Sequence, residues 1–193
     1  IDIRYSEGYS PHQIMSFAAP LGVGITSDGE YFDIEVDSSL SSKESVAALN
    51  ATMVDGVEVV SYVKLPDRAK TAMSIVAAAD YRLTYKEGYE IPYTTTEWQK
   101  VIDHEFTQAE SFNIIKKTKK SEREVDLKPL VYELRVEEHD GAPTFFLKVT
   151  TGSVDKINPE LVLATLYERC GLIYNENAIQ IHRCERYARN AQE

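Results

Sequence analysis

Cysteine is nearly missing from this chain: its 193 residues include two, Cys170 and Cys184. Two thiols in a chain of this length make no disulfide scaffold, and both read as buried or half-buried side chains rather than redox or metal groups. The expected compartment is the cytosol, where thiols stay reduced. Long apolar runs are missing as well. None approaches the ~18–20 residues of a membrane span, so no membrane association is expected. The first residues lack the basic, apolar and small-residue order of a secretory signal. The chain opens at Ile1 rather than a methionine, and a front segment is expected to precede it. The four histidines, His12, His104, His139 and His182, show no metal-ligand spacing, so no metal is expected. Glycine-rich phosphate loops are absent too. Gly22 and Gly24 lack the third glycine and the following helix of a dinucleotide fingerprint, so no cofactor is expected in this chain. Positive charge is also short. A net charge of −10 repels phosphate at long range and excludes broad, nonspecific nucleic-acid binding.

What is present is ordinary globular material, because 43% hydrophobic and 27% charged residues fit neither a disordered nor a fibrous chain. Residues 3–6 are β-prone and run into the loop Glu7-Gly8-Tyr9-Ser10-Pro11. A strand over 14–18 is broken by Pro20-Leu21-Gly22-Val23-Gly24. Residues 31–36 alternate, with Phe32, Ile34 and Val36 on one face, which predicts a half-buried strand. Ser41 and Glu44 stand at capping-box spacing ahead of Val46, Leu49 and Met53, and that spacing predicts a helix. Residues 57–65 then read as a strand closed by Pro66.

The second run is longer. Residues 73–85 read as a strand with Ala79, Tyr81, Leu83 and Tyr85 on one face. Thr94 and Glu97 repeat the capping box ahead of Trp98, Val101, Ile102 and Phe106, a stripe better explained as core than as a ligand box. A strand over 112–117 follows, then a hairpin of 132–138 and 144–150 around Asp140-Gly141. Asn158-Pro159-Glu160 opens a helix that Gly171 ends, and 179–187 is the last strand.

Strand, helix, strand, strand, helix, strand is the ferredoxin-like split βαβ order. The first run supplies the last four elements of the same order. The expected fold is therefore α+β, with duplicated ferredoxin-like (split βαβ) units, the first lacking its initial strand and helix. The first unit is expected over 1–70 and the second over 71–193, packed together as one globular body.

Two stretches carry site-like chemistry. In the first, Gly8 and Pro11 shape a loop, Tyr5 and Tyr9 offer stacking faces, and Ser6 and His12 offer polar groups. It reads either as a substrate grip or as a structural turn. In the second, Lys116, Lys117, Lys119, Lys120 and Arg123, with Lys128 beyond, form a basic run in an acidic chain. It reads as a phosphate or RNA contact, or as a solvated hairpin tip offset by Glu122 and Glu124. Glu30 and Asp33 carry no sign of paired acid–base work.

The string Tyr5-Ser6-Glu7-Gly8-Tyr9-Ser10-Pro11-His12, then Ser16-Phe17-Ala18, Pro20-Leu21-Gly22 and Glu30-Tyr31-Phe32-Asp33, resembles the signature of the bacterial radical-SAM-linked family of unknown function. Thr118-Lys119-Lys120, Arg123, Val125-Asp126-Leu127 and Pro129 are similar to a second patch of it. The departures are Ser10, where Asn is usual, and Gln13, where Pro is usual. The resemblance adds Ser16 and Glu30 to the substrate-binding candidates. It implies an N-terminal truncation and an accessory or substrate-presenting role beside a radical-SAM protein, with RNA as a substrate class. The chain lacks the three-cysteine loop that holds a radical-SAM cluster, so it is not expected to be the radical enzyme. Two other functions stay open: a stand-alone enzyme using the 7–12 loop, and a structural domain whose acidic surface docks a protein.

Overall fold

The computed structural model describes residues 1–38, 40–117, 122–151 and 157–189, with the backbone alone at 116–117 and 122–123. In chain order its elements are β1 (Met15–Phe17), β2 (Thr26–Ser27), β3 (Phe32–Ile34), α1 (Ser42–Asn50), α2 (Ala72–Ile75), β4 (Val76–Tyr85), α3 (Thr95–Ile102), β5 (Asn113–Lys117), β6 (Glu122–Asp126), β7 (Val131–His139), β8 (Ala142–Thr150), α4 (Pro159–Arg169) and β9 (Ile179–Ala188). The protein is of mixed α+β class. Its contacts divide it into two units, Ile1–Ala18 with Tyr31–Ser74, and Ala19–Glu30 with Ile75–Glu193. Residues 19–30 thus belong to the second unit. Among the described residues no helix is long and apolar enough to cross a membrane.

In the first unit β1 and β3 pair antiparallel, Ser16 opposite Asp33 and Phe17 opposite Phe32. The Phe17 and Phe32 rings lie 5.3 Å apart. Helix α1 starts with the expected capping box: Ser41 Oγ accepts from the Glu44 amide, and the Glu44 carboxylate accepts from the Ser41 amide.

Two expected strands differ. Residues 57–65 form no strand. Their alternation is right for a sheet, but a ladder needs a partner strand, and none pairs with them among the described residues. The Asn50 side chain takes the place of one at a single residue, donating to Val59 O at 2.9 Å and accepting from Val59 N at 2.7 Å. Met73–Ile75 also departs from the expected strand, because it coils into one helical turn. The Asp33 carboxylate accepts the Ala72 amide at 2.6 Å, so a capped helical start wins locally over the alternating pattern.

The second unit holds a sheet in the order β2-β9-β4-β8-β7. The pairs β9–β4, β4–β8 and β8–β7 are antiparallel, and β2 joins β9 in parallel. Helix α3 therefore connects the parallel strands β4 and β7 with β8 between them, and α4 connects β8 and β9 with β4 between them. The β7–β8 turn is Asp140-Gly141, with φ of 51° and 76°; two left-handed residues match the twist of a two-residue hairpin. Gly171, at φ 69°, ends α4, its N–H bonded to Glu168 O and that of Leu172 to Tyr167 O.

The core lies on one sheet face. Ala79, Leu83, Phe145, Leu147, Val149 and Ile181 meet Trp98 and Ile102 of α3 and Val162, Leu163 and Leu166 of α4. Trp98 is fully buried, with its ring 5.3 Å from Phe145 and 5.0 Å from Tyr167. Each such large side chain stabilises the unit by about 1.5–3 kcal/mol. A separate hairpin, β5–β6, follows α3.

Candidate functional site

The loop candidates come together in the first unit. Tyr5 bridges Gln13, Arg4 N donates to Glu35 O at 2.8 Å, and Ile14 N donates to Arg4 O at 2.8 Å. This ladder delivers the chain into and out of a loop that Ser6 closes. Ser6 N donates to His12 O at 2.8 Å, His12 N donates to Ser6 Oγ at 3.1 Å, and that Oγ lies 2.9 Å from His12 Nδ1. Gly8, at φ 117°, takes a conformation open to glycine almost alone. The turn it allows holds Tyr9 fully exposed, and Tyr5 is 58% exposed. Pro11 is also exposed in this loop, and Ser16 sits on β1 opposite Asp33.

Glu30 does not join them; it lies in the second unit at the centre of an ion cluster. Arg183 Nη1 donates to both of its carboxylate oxygens at 2.9 and 3.2 Å, Arg186 donates to Oε2, and Ser27 Oγ donates to Oε1 at 2.6 Å. Arg186 also donates to Ala19 O, and Arg183 Nε donates to Tyr81 OH at 3.1 Å. The arginine side chains are 4% and 1% exposed. Burial, then the Arg183 cation, lower the Arg186 pKa from its usual value. Two buried cations thus share one carboxylate, and Arg186 Nε and Nη1 have no hydrogen-bond partner among the described residues.

Around this cluster β2 is clamped to β9. His182 takes Thr26 Oγ1 on Nδ1 at 2.8 Å and the Asp28 carboxylate on Nε2 at 3.0 Å. Gly29 lies so close to β9 that a Cβ there would sit 2.9 Å from Glu185 Cα and 3.0 Å from Cys184 O. Residues 26–30, which end on the signature's Glu30, therefore anchor to β9 within the second unit.

The basic run is only partly described. Lys116 and Lys117 lie on β5, opposite Arg123 and Glu122 on β6; Lys119 and Lys120 fall outside the described residues. Lys128 caps the π-helical turn Asp103–Thr107 that continues α3. Its ammonium donates to Thr107 O and Ala109 O and stands 5.8 Å from the Phe106 ring centroid.

Both cysteines are free and half-buried, and burial raises their pKa, favouring the thiol. Among the described residues no three of His, Cys, Asp and Glu stand together as a metal-ligand group.

Sequence reasoning missed the outer face of the second unit's sheet. Its central rows are Asp80, Lys148 and Glu133, then Arg82, Phe146 and Arg135, each triplet aligned across β4, β8 and β7. Tyr187 donates to the Asp80 carboxylate at 2.5 Å, and this bond pushes its pKa up to about 12. The signal was there in outline. Phe146 and Lys148 alternate with the inward Phe145, Leu147 and Val149, but only the pairing register sets Arg82 and Arg135 on either side of Phe146.

The family model described as Uncharacterized protein conserved in bacteria (DUF2344) matches residues 1–159. No curated protein matches the chain. A match over most of its length, covering the Ser6–His12 loop, the Glu30 anchor and the β4–β8 core, makes the chain a member of this bacterial family.

Proposed function

We propose that the chain is a non-catalytic, cytosolic binding module that works beside a radical-SAM enzyme and presents RNA to it. The observation that carries this reading is Tyr9, a fully exposed ring on a loop that three contacts between Ser6 and His12 hold in one form. A rigidly presented aromatic that packs against nothing has no use in the fold and is a stacking surface for an unpaired base. The resemblance to radical-SAM-linked proteins supports the choice of partner, and the basic β5–β6 hairpin supports the choice of RNA.

The architecture we infer is a duplicated ferredoxin-like one. The two split crossovers of the second unit, β4-α3-β7 and β8-α4-β9, support it there. In the first unit β1, β3 and α1 stand for three of the last four elements.

The Ser6–His12 pair is also what a hydroxyl nucleophile and its base look like. Against a stand-alone enzyme, no carboxylate orients His12 among the described residues. Two clefts among the described residues, one lined by Ser42, Val46 and Tyr62 and another by Asp80 and Phe146, include no residue of the loop.

The test is fluorescence anisotropy of a labelled single-stranded oligoribonucleotide with the complete chain at rising salt. Tyr9→Ala is expected to weaken binding about tenfold, and Lys119→Glu with Lys120→Glu to flatten the salt slope. No detectable binding at low salt removes RNA from the proposal. Copurification without a radical-SAM protein removes the partner.

A further inference from the structure

On the outer face of the second unit's sheet, most of the charge is already matched. Arg135 is held by Glu133 at 2.7 Å and by Glu137. Lys148 lies 3.9 Å from Asp80 and 3.6 Å above the Tyr187 ring. Arg82 is different. It is half-buried on the central strand β4, and no ion pair or hydrogen bond engages its guanidinium among the described residues.

Across the strands from Arg82 is Phe146. The Arg135 guanidinium covers one face of that ring at 4.1 Å, and no second ring or cation stacks on it among the described residues. Beside Phe146 opens a cleft of about 150 Å³ whose walls include Asp80, Glu133 and Cys184. Asp80 on the cleft wall is half satisfied: its Oδ2 accepts from Tyr187, whereas its buried Oδ1, 3.9 Å from the Lys148 ammonium, has no hydrogen-bond donor among the described residues. A buried carboxylate oxygen without a donor costs free energy that an incoming N–H group recovers. The cleft has roughly the volume of five waters, enough for one planar ring system.

A half-open aromatic face and a carboxylate oxygen without a hydrogen-bond donor therefore line one shallow cleft, and the Arg82 cation stands outside its walls, in register with Phe146 on the neighbouring strand. We propose that this face binds a phosphorylated nucleotide whose base carries an amino group, as a residue of single-stranded RNA or as a free nucleotide. The base stacks on Phe146, its amino edge donates to Asp80 Oδ1, and Arg82 takes the phosphate. Stacking is sequence-tolerant, so the choice of base falls to the acceptor. This assignment rests on the RNA reading above and places a second contact surface on the module.

The experiment is calorimetric titration of the complete chain with CMP, AMP, GMP and UMP, with the labelled oligoribonucleotide in parallel. CMP, AMP and GMP are expected to bind and UMP to bind at least tenfold more weakly, because its one donor, the ring N3–H, is flanked by two carbonyls that repel the carboxylate. Arg82→Gln lowers affinity for the monophosphates while leaving that for cytidine unchanged. Asp80→Asn, which keeps an acceptor for Tyr187, narrows the gap between CMP and UMP. Phe146→Leu, which preserves the apolar volume, weakens every ligand roughly tenfold or more. Equal binding of all four monophosphates, or affinities untouched by Arg82→Gln and Phe146→Leu, overturns the site. Oligoribonucleotide binding that survives in those variants then leaves the RNA reading standing without it. Monophosphate binding with no oligoribonucleotide binding keeps the site and assigns it to a free nucleotide.

Discussion

Removing the Glu30 carboxylate strands two buried cations. Arg183 and Arg186 are 4% and 1% exposed, and Glu30 is the carboxylate that pairs with both guanidinium groups. Breaking a buried pair from one side costs about 3–5 kcal/mol, because the remaining charge stays desolvated and unmatched. Glu30 is itself 27% exposed, so water enters partway and the lower end, about 3 kcal/mol, is expected for Glu30→Ala. With a urea slope of about 2 kcal/mol/M, the unfolding midpoint of the second unit falls by roughly 1.5 M. Trp98, the one tryptophan and fully buried in that unit, reports the transition by fluorescence. Replacing the whole group, Glu30→Leu with Arg183→Met and Arg186→Met, is expected to recover most of the loss, since apolar side chains of similar volume carry no desolvation penalty. A midpoint shift below about 0.3 M for Glu30→Ala, or a triple variant less stable than the single one, refutes the reasoning.

Two further expectations follow from local geometry. Gly29→Ala pushes a Cβ to 2.9 Å from backbone Glu185 Cα, and backbone cannot swing away. We expect a loss of about 1–3 kcal/mol by the same fluorescence assay, with faster amide exchange at Asp28, whose N–H bonds to Arg183 O. Glu105 accepts from Arg169 at 3.0 Å and has His104 Nδ1 at 2.8 Å, so its folded pKa lies below the usual carboxylate value. Its contribution is then full above the ordinary glutamate pKa and is lost as pH falls through the lower folded one. Urea midpoints of wild type and Glu105→Gln should differ at neutral pH and converge in acid; a constant difference across that range argues against the assignment.

How much of this was legible in the residues varies with the kind of signal. The capping boxes at Ser41–Glu44 and Thr94–Glu97, the Asn158-Pro159 start and the Gly171 stop lie where they were expected. Each is completed within a few residues, so local chemistry suffices. The strands β4, β7, β8 and β9 were legible for a related reason, since one face of each is apolar, whereas β2 and β6, short or charged, were not. Residues 57–65 show the limit: the pattern is a strand's, but pairing is a property of two segments and the sequence names only one. The helical turn at Ala72–Ile75 was hidden in the same way, because its cap is Asp33, thirty-nine positions earlier.

The candidate site divides along the same line. The Ser6–His12 loop was visible because Gly8 and Pro11 must bend the chain and the groups that close it lie six residues apart. Glu30 was visible as a residue but not as a role, since its arginines lie more than 150 positions away. Arg82 and Phe146 were not visible at all as a pair. The sequence by itself determined the composition class, the helix ends, the alternating strands and the presented Tyr9 loop, all set by interactions of near neighbours. Only the tertiary structure decided that residues 19–30 anchor to the second unit, that Glu30 is locked between buried arginines, and that Arg82 lies across the strands from Phe146. Those depend on strand register and burial, which link residues that the chain order keeps far apart.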